Sequence, residues 1–431
     1  MTGGRVVGME ELDPVRVLLF VTLRRRDLLP MRRIADELDG RGYETMLSGI
    51  SDFLYAVQAF RPHVVVFGRC DHHFAHWLRA MSGCVVLSLN TEQGGHAEQA
   101  VVTQFVWGQA DAGPPALESV DYHLLVDETT KRFLEPHIDP DRLVVVGYTR
   151  LLRSEPAAEP RPVSSPLVVG FAAGEAPRSI ERLYEHFNIG LDLAQADLNH
   201  EQGHIAYNLL EWMWINRLVS DLRNRYECIV RIRQSDTRFL LDEAGVEIDR
   251  SEDPSEFFNR ADVVVFGRST IGVEALMAGV PTISISRFME PLIESYRAPF
   301  ISYVSLSWQP ETFDEMDALL DRRQQSDLPL TPDDDSYLRF VTDTFYSGNL
   351  PDRSAQKIAD VVDGAALEGE ASLDLGRLFA SVDAFSGLSR LMLRLAAQTS
   401  PRLIHRLVLL YLKVRRRYSR DTYLRAGVYI P

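Results

Sequence analysis

The sequence predicts an α/β protein with two doubly wound, Rossmann-like domains facing across a cleft, followed by a basic helical tail. Two features predict this. Continuous apolar runs alternate with stretches of helical spacing, which is how parallel strands read when helices cover both faces of the sheet. The alternation also occurs twice, separated by the proline-, serine- and charge-rich "RSEPAAEPRPVSSP", a linker composition. The expected organisation is an N-terminal domain over 1–152, a linker over 153–166, a C-terminal domain over 167–384 and a tail over 385–431. At 431 residues the chain is too long for one ordinary core.

In the first half, "VRVLLFVTL" (15–23) opens as a strand rich in β-branched residues. "LLPMRRIADELDGRGYETML" then has helical spacing that ends near Gly40 and Gly42. "HVVVFG", "CVVLSLN", "YHLLVD" and "RLVVVGY" repeat the strand signal at 63–68, 84–90, 122–127 and 142–148. The second half begins with the strand and loop "LVVGFAAG" (167–174), followed by the helical "GHIAYNLLEWMWINRLVSDLRNRY" and the strand "ECIVRIRQ". An acidic connection, the strand "DVVVFG", a helix near 271–278 and the strand "PTISI" complete it. Ligands of open α/β sheets bind outside the carboxyl ends of the strands, so the cleft between the halves is the expected site. "TLRRRD" stands where a GxGxxG fingerprint would follow the first strand, which argues against a dinucleotide oxidoreductase and leaves nucleotide-sugar chemistry as a candidate.

Composition narrows the class. With 45% hydrophobic and 25% charged residues the chain reads as soluble and globular. No apolar run is long enough to span a membrane, and the N-terminus lacks the apolar core of a secretion signal. Cys70, Cys84 and Cys228 are odd in number and far apart, against a disulfide framework or a zinc site, so a reducing cytoplasm is the expected location. A net charge of −15 disfavours nucleic acid as a partner.

"GRSTIGVEALMAGVPTIS" (267–284) carries the most chemistry. After a buried strand, Arg268, Ser269 and Thr270 occupy the turn and N-cap region of a short helix, where hydroxyls and free N–H groups suit an anion such as a diphosphate. Glu274 lies four residues beyond Thr270 on the same helical face, able to accept from ribose hydroxyls. A capped helix with a solvated glutamate is the plainer alternative. Strand, Ser-Thr, Glu-Ala, Gly-Val-Pro and strand together resemble the donor-nucleotide segment of GT-B glycosyltransferases, a segment that nucleotide-sugar epimerases share.

Further stretches extend the resemblance. "RRRDLLPMRRIADELDGRGYETMLSG" (24–49), "VVLSLNTEQGG" (85–95), "QFVWGQ", "VVVGYTRLL" (144–152) and "YSGNLPDRSAQKIADVV" (346–362) resemble, in order and spacing, segments of the bacterial surface carbohydrate biosynthesis family. The match covers about 15 to 363. It implies a GT-B-like enzyme of cell-surface glycan, related to transferases that handle Kdo and other sugars of capsule and lipopolysaccharide. Two departures stand out. The family's Arg-Pro-His-Pro is here "RIRQSD", keeping Arg231 and Arg233 without the histidine, and its Gly-Asn-Pro-Arg is Gly147-Tyr148-Thr149-Arg150.

Glycosyl transfer needs a stabilised phosphate leaving group and a carboxylate near the anomeric carbon, as base or nucleophile. Glu92 follows a buried strand and precedes Gly94 and Gly95, which let a backbone approach a ligand; it is the first candidate, with Asp71 second. A turn glutamate is the alternative. The donor-binding candidates are Arg231, Arg233, Arg268, Ser269, Thr270 and Glu274. Arg231 and Arg233 alternate across their strand and cannot share a face; Arg233 has the better claim to the cleft, against a surface ion pair. Arg25 and His72 are acceptor-side candidates. His72 and His76 have helical metal-pair spacing but lack the HExxH glutamate, and "PDDDS" (332–336) reads as a solvated acidic turn, so neither a metal nor another cofactor is expected.

From Phe385 onward there are ten Lys/Arg and one acid, Asp421; this +9 within a total of −15 leaves −24 on residues 1–384. Leucine-rich helical spacing with arginines suits an anionic membrane surface, where a lipid-linked acceptor would reside, and this is the preferred reading, with peripheral attachment at the inner face of the membrane. Packing on the acidic body or on a second subunit is the alternative. The expected partners are thus a nucleotide-sugar donor, a glycan or lipid-linked acceptor, and that membrane surface. The first functional reading is a GT-B glycosyltransferase. A nucleotide-sugar 2-epimerase-like enzyme and a non-catalytic subunit of a glycan assembly complex are the others.

Overall fold

The computed structural model describes residues 14–22, 24–68, 72–89, 119–150, 157, 159–173, 200–232, 246–251, 253–267, 269–289, 302–346 and 351–373. Its strands form two sheets. The first has the order β2 (Glu44–Gly49), β1 (Arg16–Val21), β3 (Val64–Phe67), β4 (Val85–Leu89), β5 (Tyr122–Leu125), β6 (Leu143–Val145), with every pair parallel. The second has the order β11 (Thr282–Ser284), β10 (Val263–Phe266), β7 (Val168–Ala172), β8 (Glu227–Arg231), β9 (Val246–Asp249), again all parallel. Strand order reverses between β1 and β3 and between β7 and β10, so each sheet has a switch point at its carboxyl edge.

The helices are α1 (Arg24–Gly40), α2 (Phe53–Phe60), α3 (His72–Met81), α4 (Glu128–Leu134), α5 (His200–Leu222), α6 (Pro254–Arg260), α7 (Ile271–Met277), α8 (Ser286–Met289), α9 (Phe313–Gln324), α10 (Asp334–Phe340) and α11 (Pro351–Ala366). They explain why most of the strands are apolar. Val17 and Leu19 of β1 pack with Met31, Ile34 and Leu38 of α1, while Leu18 and Phe20 pack on the other face with residues of α2 and α3. In the second sheet Val264 and Phe266 face α6 and α7, whereas Val263 and Val265 face α5 and α9. Each Val or Leu so buried contributes about 1.5–3 kcal/mol. Gly170 of β7 is required by this packing, since a Cβ there would lie 2.7 Å from the Ala261 Cβ and 2.8 Å from the Phe257 ring.

Two strands escaped the sequence pattern. β2 and β9 are edge strands of mixed polarity, half-buried or exposed over most of their length, so "ETMLSG" carries no strand signal after the helix that ends near Gly40 and Gly42, and "VEID" reads as part of an acidic connection.

The segment expected to link the domains is docked where it is described. Ala157 N–H donates to Met277 O at 3.2 Å and Arg161 N–H to Gly279 O at 2.9 Å. The Arg161 guanidinium donates to Ala261 O, and buried Arg323 donates to the carbonyls of Asp262 and Arg161, each at 2.8 Å. Burial lowers the pKa of Arg323, and the two carbonyls it donates to, with the attraction of the Asp262 carboxylate, offset that cost.

At the other end of the described chain, α11 returns to the first sheet rather than staying with the second. Ala355, Ile358, Ala359, Val362 and Ala365 enter the same core cluster as Ile34 and Leu38 of α1. Around this seam Arg41 pairs with Glu37 at 3.0 Å, Asp360 at 2.7 Å and Asp363 at 2.6 Å, and the Tyr43 hydroxyl donates to Asp363. Among the described residues no helix is long and apolar enough to cross a membrane. The basic tail lies outside them.

Candidate functional site

β10 delivers the chain to the switch point of the second sheet and stops at Gly267, whose peptide is held on both sides. Its N–H donates to Glu211 Oε1 at 2.9 Å, and its carbonyl accepts from Ser284 Oγ at 3.0 Å. A Cβ on Gly267 would stand 2.3 Å from that glutamate oxygen, so only glycine admits the close approach. Glu211 is 2% exposed, on the buried side of α5.

The chain then enters α7. Ser269 is buried and accepts weakly from the Ile271 N–H at 3.4 Å, while its carbonyl accepts from the Gly272 N–H at 3.0 Å. Thr270 occupies the N-cap position without a side-chain cap bond, in contrast to the capping role its residue type suggested. The helix is short and almost wholly buried. A Cβ at Gly272 would strike the Phe266 ring at 2.3 Å, which shows how closely α7 lies on the strand before it. Gly279, at φ +78°, ends the helix in the left-handed conformation that Gly favours, and its N–H donates to Leu276 O at 2.8 Å. The "GVP" that follows turns the chain into β11.

Glu274 is the charged residue of this buried helix, 6% exposed. Its Oε1 accepts from the Tyr148 hydroxyl at 2.9 Å and pairs with an Arg150 nitrogen at 2.9 Å. Both partners come from the segment that leaves β6 of the first sheet. There Gly147, at φ +89°, turns the chain, its N–H directed at Leu125 O at 3.3 Å. Tyr148, fully buried, follows into the apolar cluster shared with Val273 and Phe266. The Arg150 guanidinium sits 5.9 Å from the centre of the Tyr148 ring. A buried carboxylate is costly unless paired, and here one cation and one hydroxyl meet it.

The structure treats the other candidates differently. Arg231 ends β8 at the sheet's carboxyl edge, where its guanidinium is engaged by Asp249 and by Ser251 Oγ at 2.9 Å, a pairing that also fixes the β8–β9 edge. Arg25 lies in the first turn of α1 and His72 opens α3, with their side chains outside the described residues. Glu92, Asp71, Arg233 and Arg268 also lie outside them. At the switch point of the first sheet, fully buried Asp27 accepts from the Thr22 N–H at 3.2 Å, and a Cβ on Gly68 would stand 3.1 Å from its carboxyl carbon. The "PDDDS" string is the start of a helix. Asp333 caps α10, accepting from the Ser336 N–H at 3.1 Å, and hydrogen bonds from Ser336 hold its carboxyl below the usual range. Among the described residues no group of three or more His, Cys, Asp or Glu is placed to hold a metal. Burial pushes the thiols of Cys84 and Cys228 up to about 12, which makes both poor nucleophiles.

Tyr148, Arg150, Glu211 and Ser284 are the site residues that sequence reasoning did not single out. Tyr148 stands in the sequence only as a departure from a family segment, and Arg150 only as the arginine which that segment keeps. Glu211 had one signal, an isolated acid among Leu, Trp and Met in a helix.

No family model and no curated protein matches the chain. Among solved structures, the wall teichoic acid polymerase TagF aligns with a TM-score of 0.50 at 12% identity, over 82% of this chain and 89% of that one. The fold is GT-B-like. A putative UDP-N-acetylglucosamine 2-epimerase from Listeria monocytogenes aligns with a TM-score of 0.47 at 11% identity, over 84% of this chain and 99% of that one. The UDP-GlcNAc 2-epimerase from Neisseria meningitidis bound to UDP-GlcNAc gives 0.44 and 9%, over 82% and 100%.

Proposed function

We propose that this chain is a glycosyltransferase that moves a sugar from a nucleotide-activated donor to a cell-surface polysaccharide or lipid-linked acceptor. The observation that carries the reading is Glu274: a buried, paired carboxylate just beyond the switch point of the second sheet, in the turn and helix that resemble a donor-nucleotide segment. In this reading Glu274 receives ribose hydroxyls, and Ser269 with Arg268 and Thr270 lies beside the phosphates. Arg233 supports the leaving group. The anomeric carbon loses its bond to the donor phosphate oxygen, which leaves with the electron pair, and gains a bond to the acceptor hydroxyl oxygen. Glu92, backed by Asp71, serves that carbon as base for the hydroxyl proton in an inverting transfer or as nucleophile in a retaining one. Arg25 and His72 serve as acceptor-side groups, and the tail of +9 holds the enzyme on an anionic membrane surface.

The test begins with thermal shift of the full chain against CMP-, CDP-, UDP- and GDP-sugars. A true donor at 100 times its dissociation constant stabilises by about 2.7 kcal/mol. With that donor, nucleotide release is expected to require a glycan acceptor and to vanish in Glu92→Gln, with donor affinity kept within a few-fold. Inversion at the sugar's C2 without any acceptor would instead make the chain an epimerase. Deleting 385–431 is expected to abolish co-sedimentation with anionic vesicles while nucleotide binding persists; unchanged co-sedimentation removes the membrane role of the tail.

A further inference from the structure

We propose that Tyr148 and Arg150 are positioning residues that make Glu274 a reader of ribose, so that the first domain sets the nucleotide specificity of the second. The inference rests on the nucleotide reading of Glu274 above and concerns how that carboxylate is aimed.

Three observations lead to it. First, both contacts fall on one oxygen: the Tyr148 hydroxyl and the Arg150 nitrogen meet Oε1, each at 2.9 Å, and among the described residues Oε2 accepts no hydrogen bond. A carboxylate has about four lone-pair directions on two oxygens, so a hydrogen bond and an ion pair that both fall on Oε1 restrain the group and leave Oε2 to face a ligand. Second, neither partner is loose. Tyr148 is fully buried with its ring in the core beside Val273 and Phe266, and the Arg150 side chain is 17% exposed. Third, both belong to the segment entered through Gly147, the residues in which this chain departs from the family it resembles by placing Tyr and Thr before the Arg. A phenol that spans from the first domain's last strand to a carboxylate on α7 is a feature of this chain's own sequence.

The consequence is selective. A carboxylate held by one oxygen discriminates sharply between a ligand that offers a hydroxyl to the other oxygen and one that lacks it, because the oxygen left unpaired on binding is desolvated without compensation. If the pair were only an ion-pair clasp between domains, loss of the tyrosine hydroxyl would lower stability and leave the discrimination alone.

Calorimetric titration of the full chain with UDP, CDP and GDP, each against its 2′-deoxy counterpart, separates these outcomes. The wild type is expected to favour one ribonucleotide over its deoxy form by roughly 10–100-fold, the worth of a hydrogen bond to a charged acceptor. In Tyr148→Phe, which keeps the buried ring and removes one oxygen, the preference is expected to fall to a few-fold while the deoxy nucleotide binds as in the wild type. Arg150→Lys, which keeps the charge but loses the planar fork, is expected to give an intermediate preference. Wild-type discrimination in both variants, with either unchanged or lowered melting temperature, overturns the positioning role alone. Absence of binding by the wild type to any of the nucleotides overturns the nucleotide reading and this inference with it.

Discussion

Glu274 and Glu211 are two acids in otherwise apolar surroundings, and each is kept by a specific partner at the edge of the second sheet. Glu274 answers to Tyr148 and Arg150 across the two halves of the chain; Glu211 answers to the peptide of Gly267. The second arrangement gives a prediction independent of any ligand. In Gly267→Ala the new methyl would have to share the space of Glu211 Oε1, now 2.3 Å from that Cβ position, so the carboxylate must withdraw and the Gly267 N–H loses its acceptor. The expected cost is about 1–3 kcal/mol in urea unfolding, as for other overpacked sites. A variant as stable as the wild type would show that the close approach is not needed. At this scale the sequence was informative about residue type and silent about partners. Ser-Thr-x-x-x-Glu marked the α7 segment, yet nothing in the one-dimensional pattern brings a tyrosine 126 positions away to its glutamate.

Helices and strands were more legible. Each apolar run of the first half became a strand with its ends moved by no more than three residues, since burial on both faces removes the polar positions that would blur the pattern. β2 and β9 were missed because edge strands with one partner carry polar residues. The return of α11 to the first sheet was also beyond local pattern: its amphipathic face says that it packs, not on what. The polar seam of that contact is testable. Burial first, and then the hydrogen bond to Asp363, pushes the Tyr43 phenol up to about 12, with the Arg41 guanidinium acting in the opposite sense. Below about pH 10, the ordinary tyrosine value, the phenol is neutral in folded and unfolded chains alike and its contribution is fully present. Between there and about 12 the unfolded chain has lost a proton that the folded chain retains, so stability falls as pH rises. Thermal melts across this range are expected to decline less steeply for Tyr43→Phe than for the wild type. The effect is modest because the group is partly exposed, and equal declines would remove Tyr43 from the docking of α11.

As a whole molecule the protein is two parallel sheets, each with a switch point and a buried carboxylate beside it, joined by the 146–150 segment and by the return of α11 to the first sheet. The doubled α/β pattern in the sequence was enough to predict this plan. Acidic residues dominate the body and basic ones the tail, so the proposed phosphate-bearing donor would have to be admitted by local groups against a net charge of −24 over residues 1–384. Raising ionic strength screens that repulsion and also weakens any attraction of the tail to a membrane. The central claim is that the second domain receives a nucleoside diphosphate through the β10–α7 segment. Titration calorimetry of the full chain and of Glu274→Ala with UDP, CDP and GDP tests it most directly. The account predicts saturable binding of one of them by the wild type and a loss of roughly 10–100-fold in the variant, with the fold retained by circular dichroism; equal affinity in a folded Glu274→Ala protein would contradict it.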